Sequence, residues 1–528
     1  MKYFKANLSS FLYGFSFCLL SLFLLQQAII FFNKKSNKEF KESPLSFQKI
    51  EDMYDLILNT YYEPIDTSLL LNSMLESMLK NMDQHTSYIP SMDHIRQNEE
   101  MMGNFFGIGI QFSIFQDTIV VIRVLPDGPS EKTELRAGDR ITHVNGKKIT
   151  GPTISSEDVL NRLRGAKGTE VELTILNFEK KTKNISLYRD EIPLNSIASS
   201  YVLENDIGYL KIDKFSATTY NEFIDHANKL MSEGAEKMII DLRGNTGGYL
   251  DQAVAIADEL LKIGLNIVSV KGNYRDEINY ESTYQGQLSH YPLIILIDEG
   301  SASASEILAG AIQDNGRGEV VGRPSFGKGL VGEEFSLGDG SVLRLTVAKY
   351  FTPSGRCIQK EQKGNHSFNP DSLLELQDLY FNPIDSTKVF YTLDGDTVYG
   401  GGGIYPDFNI PAEFISLETS EFIYKNITKI DELTFQFIDN NRYKIKNGSS
   451  HFRDFFSING DFLWNSVLDA FPENEFILND LKDELYVQLE ILSARNFLST
   501  QEFIYFVNQE DQMLKKAVKL LKPENYEF

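Results

Sequence analysis

Cysteine is almost absent from this 528-residue chain. The two present, Cys18 and Cys357, lie far apart, which excludes a disulfide framework and a cysteine-based zinc site. Histidine is scarce too. The seven (His85, His94, His143, His226, His290, His366 and His451) form no HExxH and no pair at helical ligand spacing, so no metal site and no cofactor is expected. Positive charge is in deficit: 51 Lys and Arg stand against 74 Asp and Glu, a net of −23 with a pI near 4.8. A body this acidic lacks the electrostatic footprint for a phosphate backbone, which argues against nucleic acid as a partner. Internal repeats and low-complexity tracts are also missing. The hydrophobic share of 42% and charged share of 24% are globular values and exclude a mostly disordered or collagen-like chain. At roughly 100–200 residues per domain, the length predicts about three domains.

What is present begins with a run of 28 uncharged residues between Lys5 and Lys34. About 20 such residues cross a bilayer as a helix, and no later segment approaches this length without charge. Residues 1–33 therefore read as a membrane anchor. A cleaved signal, the alternative, would want a shorter apolar core and a small-residue cleavage site. Lys2 and Lys5 precede the run, while Lys34, Lys35, Lys38 and Lys41 follow it, so lysine counting alone does not put the body outside the membrane.

Four further regions follow. Residues 34–100 carry helical apolar spacing, with Leu70, Leu71, Met74, Leu75, Met78 and Leu79 on one stripe. Residues 101–190 hold short β-rich runs separated by turn residues. From 191 to 412 strands alternate with helices, the mark of an α/β layer. Residues 413–528 read mostly helical. The expected class is a multidomain α/β protein: an α/β core, an inserted β domain, an N-terminal helical segment and a C-terminal helical extension.

Three glycine-marked segments of the α/β region stand out. Asp241-Leu-Arg-Gly-Asn-Thr-Gly-Gly248 follows an apolar strand and precedes a helical pattern, a geometry that presents free backbone N–H groups. Gly300 to Asp314 (GSASASEILAGAIQD) again follows a strand, and its three serines alternate with alanines. One serine suffices to cap a helix, and the alternation leaves room for a substrate backbone. Gly322 to Gly329 (GRPSFGKG) nearly matches the phosphate-cradling pattern GxxxxGK[ST]. Residue 329 is glycine, however, so the hydroxyl that would hold Mg²⁺ is missing, and an alternating pattern follows instead of a helix. The second and third segments fit together better as a nucleophile and its base. No histidine lies close in sequence to the serines, and Lys328 between two glycines can serve as base once burial disfavours its ammonium form.

With these segments in hand, the chain from about Tyr61 to Pro411 resembles the carboxy-terminal processing peptidases, or tail-specific proteases. The resemblance is carried by MDQHTSYIP, FFGIGIQF, GPSEKTELRAGDRITHVNGKKI, DLRGNTGG, GSASASEILAGAIQD, VVGRPSFGKG, FTPSGR and YGGGGIYPD, in that order. It implies a serine endopeptidase with a PDZ-like domain, acting on protein or peptide substrates with exposed C-terminal tails. It assigns Ser303 as nucleophile and Lys328 as general base, and puts the oxyanion hole at the amides of Gly247, Gly248 and Ala304. Gly107-Ile108-Gly109-Ile110 resembles the carboxylate-binding loop that holds a peptide's last residue. Such enzymes act outside the inner membrane, which implies an anchored body in the periplasm, with a cleaved periplasmic form as the alternative.

One position departs from the family pattern. Four residues after the lysine the family has a glutamine that orients the amine, and here Gly332 stands in its place. Glu333 and Asp314 are the nearby carboxylates that offer an alternative, although a carboxylate would raise the lysine's pKa. The departure keeps open a second reading, a catalytically impaired PDZ scaffold. The helical extension is compatible with packing on the core, with assembly, or with binding an adaptor protein.

Overall fold

The computed structural model describes residues 44–360 and 387–522, apart from 84, 205, 413 and 414. The charge-free N-terminal run lies outside the described residues. Among those described, no helix is long and apolar enough to cross a membrane. The chain divides into two units, residues 1–78 and 79–528. The first contributes helices α1 (Pro44–Thr60) and α2 (Thr67–Leu79).

The second unit begins with strand β1 (Ser87–Ile89), helix α3 (Ser91–Met102) and strand β2 (Asn104–Gly107). A six-stranded antiparallel domain follows: β3 (Ile110–Phe115), β4 (Thr118–Val124), β5 (Arg140–Val144), β6 (Lys147–Lys148), β7 (Glu170–Leu176) and β8 (Thr182–Tyr188), in the order β3-β4-β5-β7-β8 with β6 beside β5. Gln116 and Asp117, both at positive φ, make the tight turn that twists β3 back onto β4. Helix α4 (Ser156–Leu163) starts on a reciprocal cap in which Ser155 and Asp158 satisfy each other's amides, and it buries Val159 and Leu163 in the domain core. Strand β9 (Asp190–Pro193) pairs with β2 and closes the insertion.

The α/β core is built on a sheet of β10 (Ile197–Leu203), β11 (Ile207–Ile212), β12 (Lys237–Asp241), β15 (Leu293–Ile297), β16 (Glu319–Gly322) and β21 (Phe408–Asn409), parallel from β11 onward. Helices α5 (Thr219–Ser232), α6 (Leu250–Leu260) and α7 (Ala304–Asp314) cover one face. A second sheet packs at this level: β13 (Asn266–Gly272), β14 (Arg275–Glu281), β17 (Leu330–Ser336) and β18 (Val342–Phe351), with β1 on the edge of β18. A small hairpin joins β19 (Val389–Tyr391) to β20 (Thr397–Tyr399).

Five longer helices and one short helix complete the unit: α8 (Leu417–Asn441), α9 (Ser449–Ala470), α10 (Glu475–Asp480), α11 (Lys482–Phe497), α12 (Thr500–Asn508) and α13 (Gln512–Leu520). Their own core is rich in aromatic residues, with Phe437, Phe452, Phe456, Trp464 and Phe506 buried together. The alternative left open by the sequence resolves toward packing on the core. Ile504, Met513, Leu514 and Ala517 cover the sheet face opposite α5–α7, against Ile207, Tyr209, Ile239, Ile294, Leu296 and Val321. That face of β12 and β15 is as apolar as the other, which a strand covered on both sides requires. The extension also reaches the β domain: Phe435 packs on Val120 and Ile122, and Arg140 ion-pairs with Asp439.

Candidate active site

The three glycine-marked segments leave the carboxyl ends of three adjacent parallel strands. Strand β12 ends at Asp241 and runs into the 242–248 turn, β15 ends at Ile297 before the serines, and β16 ends at Gly322 before Lys328. Ligands of open α/β sheets bind beyond these strand ends. Segments separated in sequence thus converge because the parallel crossovers return each strand in the same direction.

The serines have different fates. Ser301 is buried and its hydroxyl donates to the Leu242 carbonyl (2.9 Å), while buried Ser305 donates to the Asn245 carbonyl (2.9 Å). Both tie the serine loop to the DLRGNTGG turn. Among the three, only Ser303 has a hydroxyl that donates to no backbone carbonyl. It stands at the N-cap of α7 with φ 55° and ψ −112°, a conformation rarely adopted by a residue with a side chain, so the surrounding bonds must hold it there.

Glu306, one turn into α7, is the main clamp. It is fully buried, and its Oε2 accepts from the amides of Ser303 (2.8 Å) and Lys328 (2.9 Å). The two bond lengths cap the separation of those amide nitrogens at about 5.7 Å. Its Oε1 accepts from the Gly327 amide (2.7 Å) and the Ser325 hydroxyl (2.6 Å). Burial pushes this carboxyl's pKa up, and the four donors pull against that shift. One buried carboxylate therefore joins the serine loop to the lysine loop.

Burial lowers the pKa of Lys328, the positive charge of Arg344 lowers it further, and Glu306 opposes both. Arg344 on β18 is held by Glu334 (2.6 Å) and Gln97 (3.0 Å). Glu333 and Asp314 do not take up the lysine's orientation: Glu333 ion-pairs with Arg275, and Asp314 with buried Arg356 (2.6 Å). At Gly332 an added Cβ would meet the Arg344 side chain at 3.5 Å, ordinary contact, so the position has room for a side chain. His85, from the MDQHTSYIP segment, also lies in the lysine's field: burial first and the Lys328 charge second lower its pKa.

The glycines of the first segment are there for close approach. A Cβ on Gly247 (φ 102°) would lie 2.8 Å from the Ser303 Cβ, and one on Gly248 (φ 144°) would lie 2.1 Å from the Phe215 carbonyl. The Gly247 amide donates to Asn245 Oδ1 (2.8 Å), so it is not open to a substrate. Among the described residues the amides of Gly248 and Ala304 enter no hydrogen bond. Behind the turn, Asp241 is buried beside Arg243. Burial pushes this carboxyl up, but the charges of Arg243 and Lys211 override it and hold it well below the usual carboxylate range. Arg243 also ion-pairs with Asp511 at the start of α13, so the extension reaches the back of this turn.

In the β domain, Gly107 ends β2 and Ile110 begins β3. Gly109 turns at φ 74° and its carbonyl accepts from Leu125 (3.0 Å), while the Ile108 carbonyl accepts from Ser130 (3.1 Å). Ile108 is buried in the domain core.

Family comparison agrees with this layout. Residues 206–371 match the model for peptidase family S41, and residues 97–176 match the PDZ domain. A carboxy-terminal-processing protease of Bartonella bacilliformis is 34% identical over 345 residues, covering 64% of this chain and 77% of that one. The chain belongs to the carboxy-terminal-processing proteases. A probable CtpA-like serine protease of Staphylococcus aureus is 32% identical over 372 residues, covering 70% and 73%. Among solved structures, the photosystem II D1 C-terminal processing protease is 24% identical, with a TM-score of 0.36 over 70% of this chain and 88% of that one. The residues around this candidate site that sequence reasoning missed are Glu306, Arg344 and Asn245. Only Glu306 left a signal, as a lone acid in the first turn of a helix made of small residues.

Proposed function

We propose that the protein is a serine endopeptidase that cuts exported or envelope proteins near their C-termini, with Ser303 as nucleophile and Lys328 as general base. The observation that carries this is the serine loop. Two of its three hydroxyls are committed to backbone carbonyls, and the third stands strained at a helix start, joined through Glu306 to a loop bearing a half-buried lysine. A neutral Lys328 takes the Ser303 proton as the serine oxygen attacks a peptide carbonyl. The developing oxyanion accepts from Gly248 and Ala304, and removing one such donor typically costs about 2.7–4 kcal/mol in the transition state. The amine then hands its proton to the leaving nitrogen, and water, deprotonated by the same amine, releases the acyl group.

Selection of the substrate rests on the PDZ domain, where a tail adds a strand and its carboxylate meets the amides of the Gly107–Ile110 loop. The charge-free run before Lys34 supports attachment to the inner membrane with the body on the periplasmic side, and a C-terminal fusion reporter active only in the cytoplasm would contradict that placement. An adaptor that delivers substrates fits the exposed part of the helical extension.

The test is turnover of an unfolded protein bearing an apolar C-terminal tail. Ser303→Ala and Lys328→Ala should each lower kcat on the order of 10⁶-fold, since the two act as a unit. Amidating the tail should raise KM, and indifference to amidation removes the carboxylate from the recognition scheme. A second reading, an impaired peptide-binding scaffold, draws on Gly332 and predicts tail binding without cleavage in the unmodified protein.

A further inference from the structure

Asn245, in the middle of the DLRGNTGG turn, is fully buried and has no place in the reaction as described so far. Each of its four polar atoms is engaged. Its amide donates to the Leu242 carbonyl (3.1 Å) within the turn. Its carbonyl accepts twice from the serine loop, from the Ala302 amide (2.9 Å) and from the Ser305 hydroxyl (2.9 Å), and these two residues bracket Ser303 and Ala304. Its Oδ1 accepts from the Gly247 amide (2.8 Å), one residue before the free Gly248 amide, and its Nδ2 donates to the Ile212 carbonyl (2.9 Å) at the end of β11. An N–H on one side and a carbonyl on the other need an acceptor and a donor on the same short side chain, which a carboxamide supplies. Aspartate, its closest match in shape, would set a carboxylate oxygen against the Ile212 carbonyl, and serine is too short to reach both partners. Beyond Gly247 the chain pairs with Phe215: the Gly247 carbonyl accepts from the Phe215 amide (2.9 Å), and the Tyr249 amide donates to the Phe215 carbonyl (2.8 Å). The Gly248 amide, between these bonds, stays out of the pairing. Gly247 itself lies against the other donor, since a Cβ there would be 3.1 Å from the Ala304 nitrogen.

We infer that Asn245 is a positioning residue of the oxyanion hole: its side chain fixes the peptide that leads to the Gly248 amide, and its carbonyl fixes the loop that carries the Ala304 amide. The inference rests on the Ser303–Lys328 reading above. The two donors leave the ends of different strands, β12 and β15, and Asn245 is bonded to both segments as well as to β11. On attack the serine oxygen bonds the carbonyl carbon, its proton goes to the Lys328 amine, and the carbonyl electron pair moves onto the oxygen that faces the two amides. Asn245 neither gains nor loses a proton and does not touch the substrate. Its contribution is therefore felt once charge has formed on that oxygen, in kcat and not in KM.

The experiment uses the full chain, with folded, reactive sites counted by the amplitude of Ser303 labelling with a fluorophosphonate. Wild type, Asn245→Asp and Asn245→Ser are compared for binding of a peptide trifluoromethyl ketone and of the same peptide reduced to the carbinol. The ketone is attacked by Ser303 and presents a charged oxygen to the two amides, whereas the carbinol fills the same site and forms no oxyanion. Losing one oxyanion donor costs about 10²–10³-fold in kcat, and a displacement of about 1 Å costs on the order of 100-fold. The expected result in both variants is a kcat per labelled site and a ketone affinity each lowered about 100-fold, with KM and carbinol affinity within about threefold of wild type. A ketone-to-carbinol preference equal to wild type overturns the inference. So does a loss of ketone and carbinol binding in equal measure, or a loss explained wholly by labelling amplitude, since the residue then holds the fold and not the donors. Ser303→Ala run alongside separates the two claims. If it keeps the wild-type preference for the ketone, the Ser303–Lys328 reading is wrong. If the preference vanishes in Ser303→Ala and stays whole in both Asn245 variants, only the asparagine's role is lost.

Discussion

The loops around Ser303 and the helices after Leu417 both border the same parallel sheet, yet different forces hold them. At the strand ends, one buried carboxylate accepts four hydrogen bonds, two serines donate into backbone carbonyls, and glycines let main chains approach within a side chain's width. On the opposite face, the extension is held by packing: Phe452, Phe456, Trp464 and their neighbours within it, and Leu514 and Ala517 against the sheet. Directional bonds at specified atoms fix geometry and tolerate few substitutions. Apolar packing supplies free energy and accepts many sequences of the right volume.

The comparison can be broken by substitutions that separate stability from reactivity. The largest effect is expected in the extension: Phe452→Ala should destabilise by about 3–5 kcal/mol in denaturant unfolding and leave the rate per labelled site unchanged. Glu306→Gln should act in the reverse sense. Its amide has only one acceptor oxygen for the donors now shared by two, and turnover should fall about 100-fold, more than any loss of folded protein explains. Asp511→Ala removes both the Arg243 ion pair and the side-chain bond to the Leu514 amide (2.7 Å), and should cost about 1–3 kcal/mol with a smaller drop in turnover, because Arg243 backs the glycine turn. Gly332→Gln is the mildest and sharpens the picture most finely. The position has room, so a rise of a few-fold in kcat is expected if the lysine's orientation limits the rate, while flat or lower turnover means the existing clamps already suffice.

The same contrast explains what could be read in the sequence. The glycine turn was legible because close main-chain approach and positive φ restrict positions 247 and 248 to glycine, and a reader of sequence sees that restriction directly. Gly247 was assigned a donor's role that its bond to Asn245 rules out, since residue spacing does not reveal where an amide points. Glu306 reads as an ordinary first-turn acid favoured by the helix dipole, and only burial reveals it as a junction. In the extension, helical periodicity was plain, but an amphipathic face says that a helix packs and not on what. Its placement depends on partners such as Arg243 and Asp511, 268 residues apart.

The central claim is that Lys328 acts uncharged on Ser303, and the pH dependence of fluorophosphonate labelling tests it most directly. Burial and Arg344 lower the lysine's pKa, so the neutral fraction, and with it the labelling rate, rises as pH increases through a midpoint below the ordinary lysine value of about 10.4. The account predicts that limb in the wild type and its disappearance in Lys328→Ala, with residual labelling slow at every pH. A limb that persists unchanged in Lys328→Ala, or a wild-type rate that does not depend on pH, contradicts it.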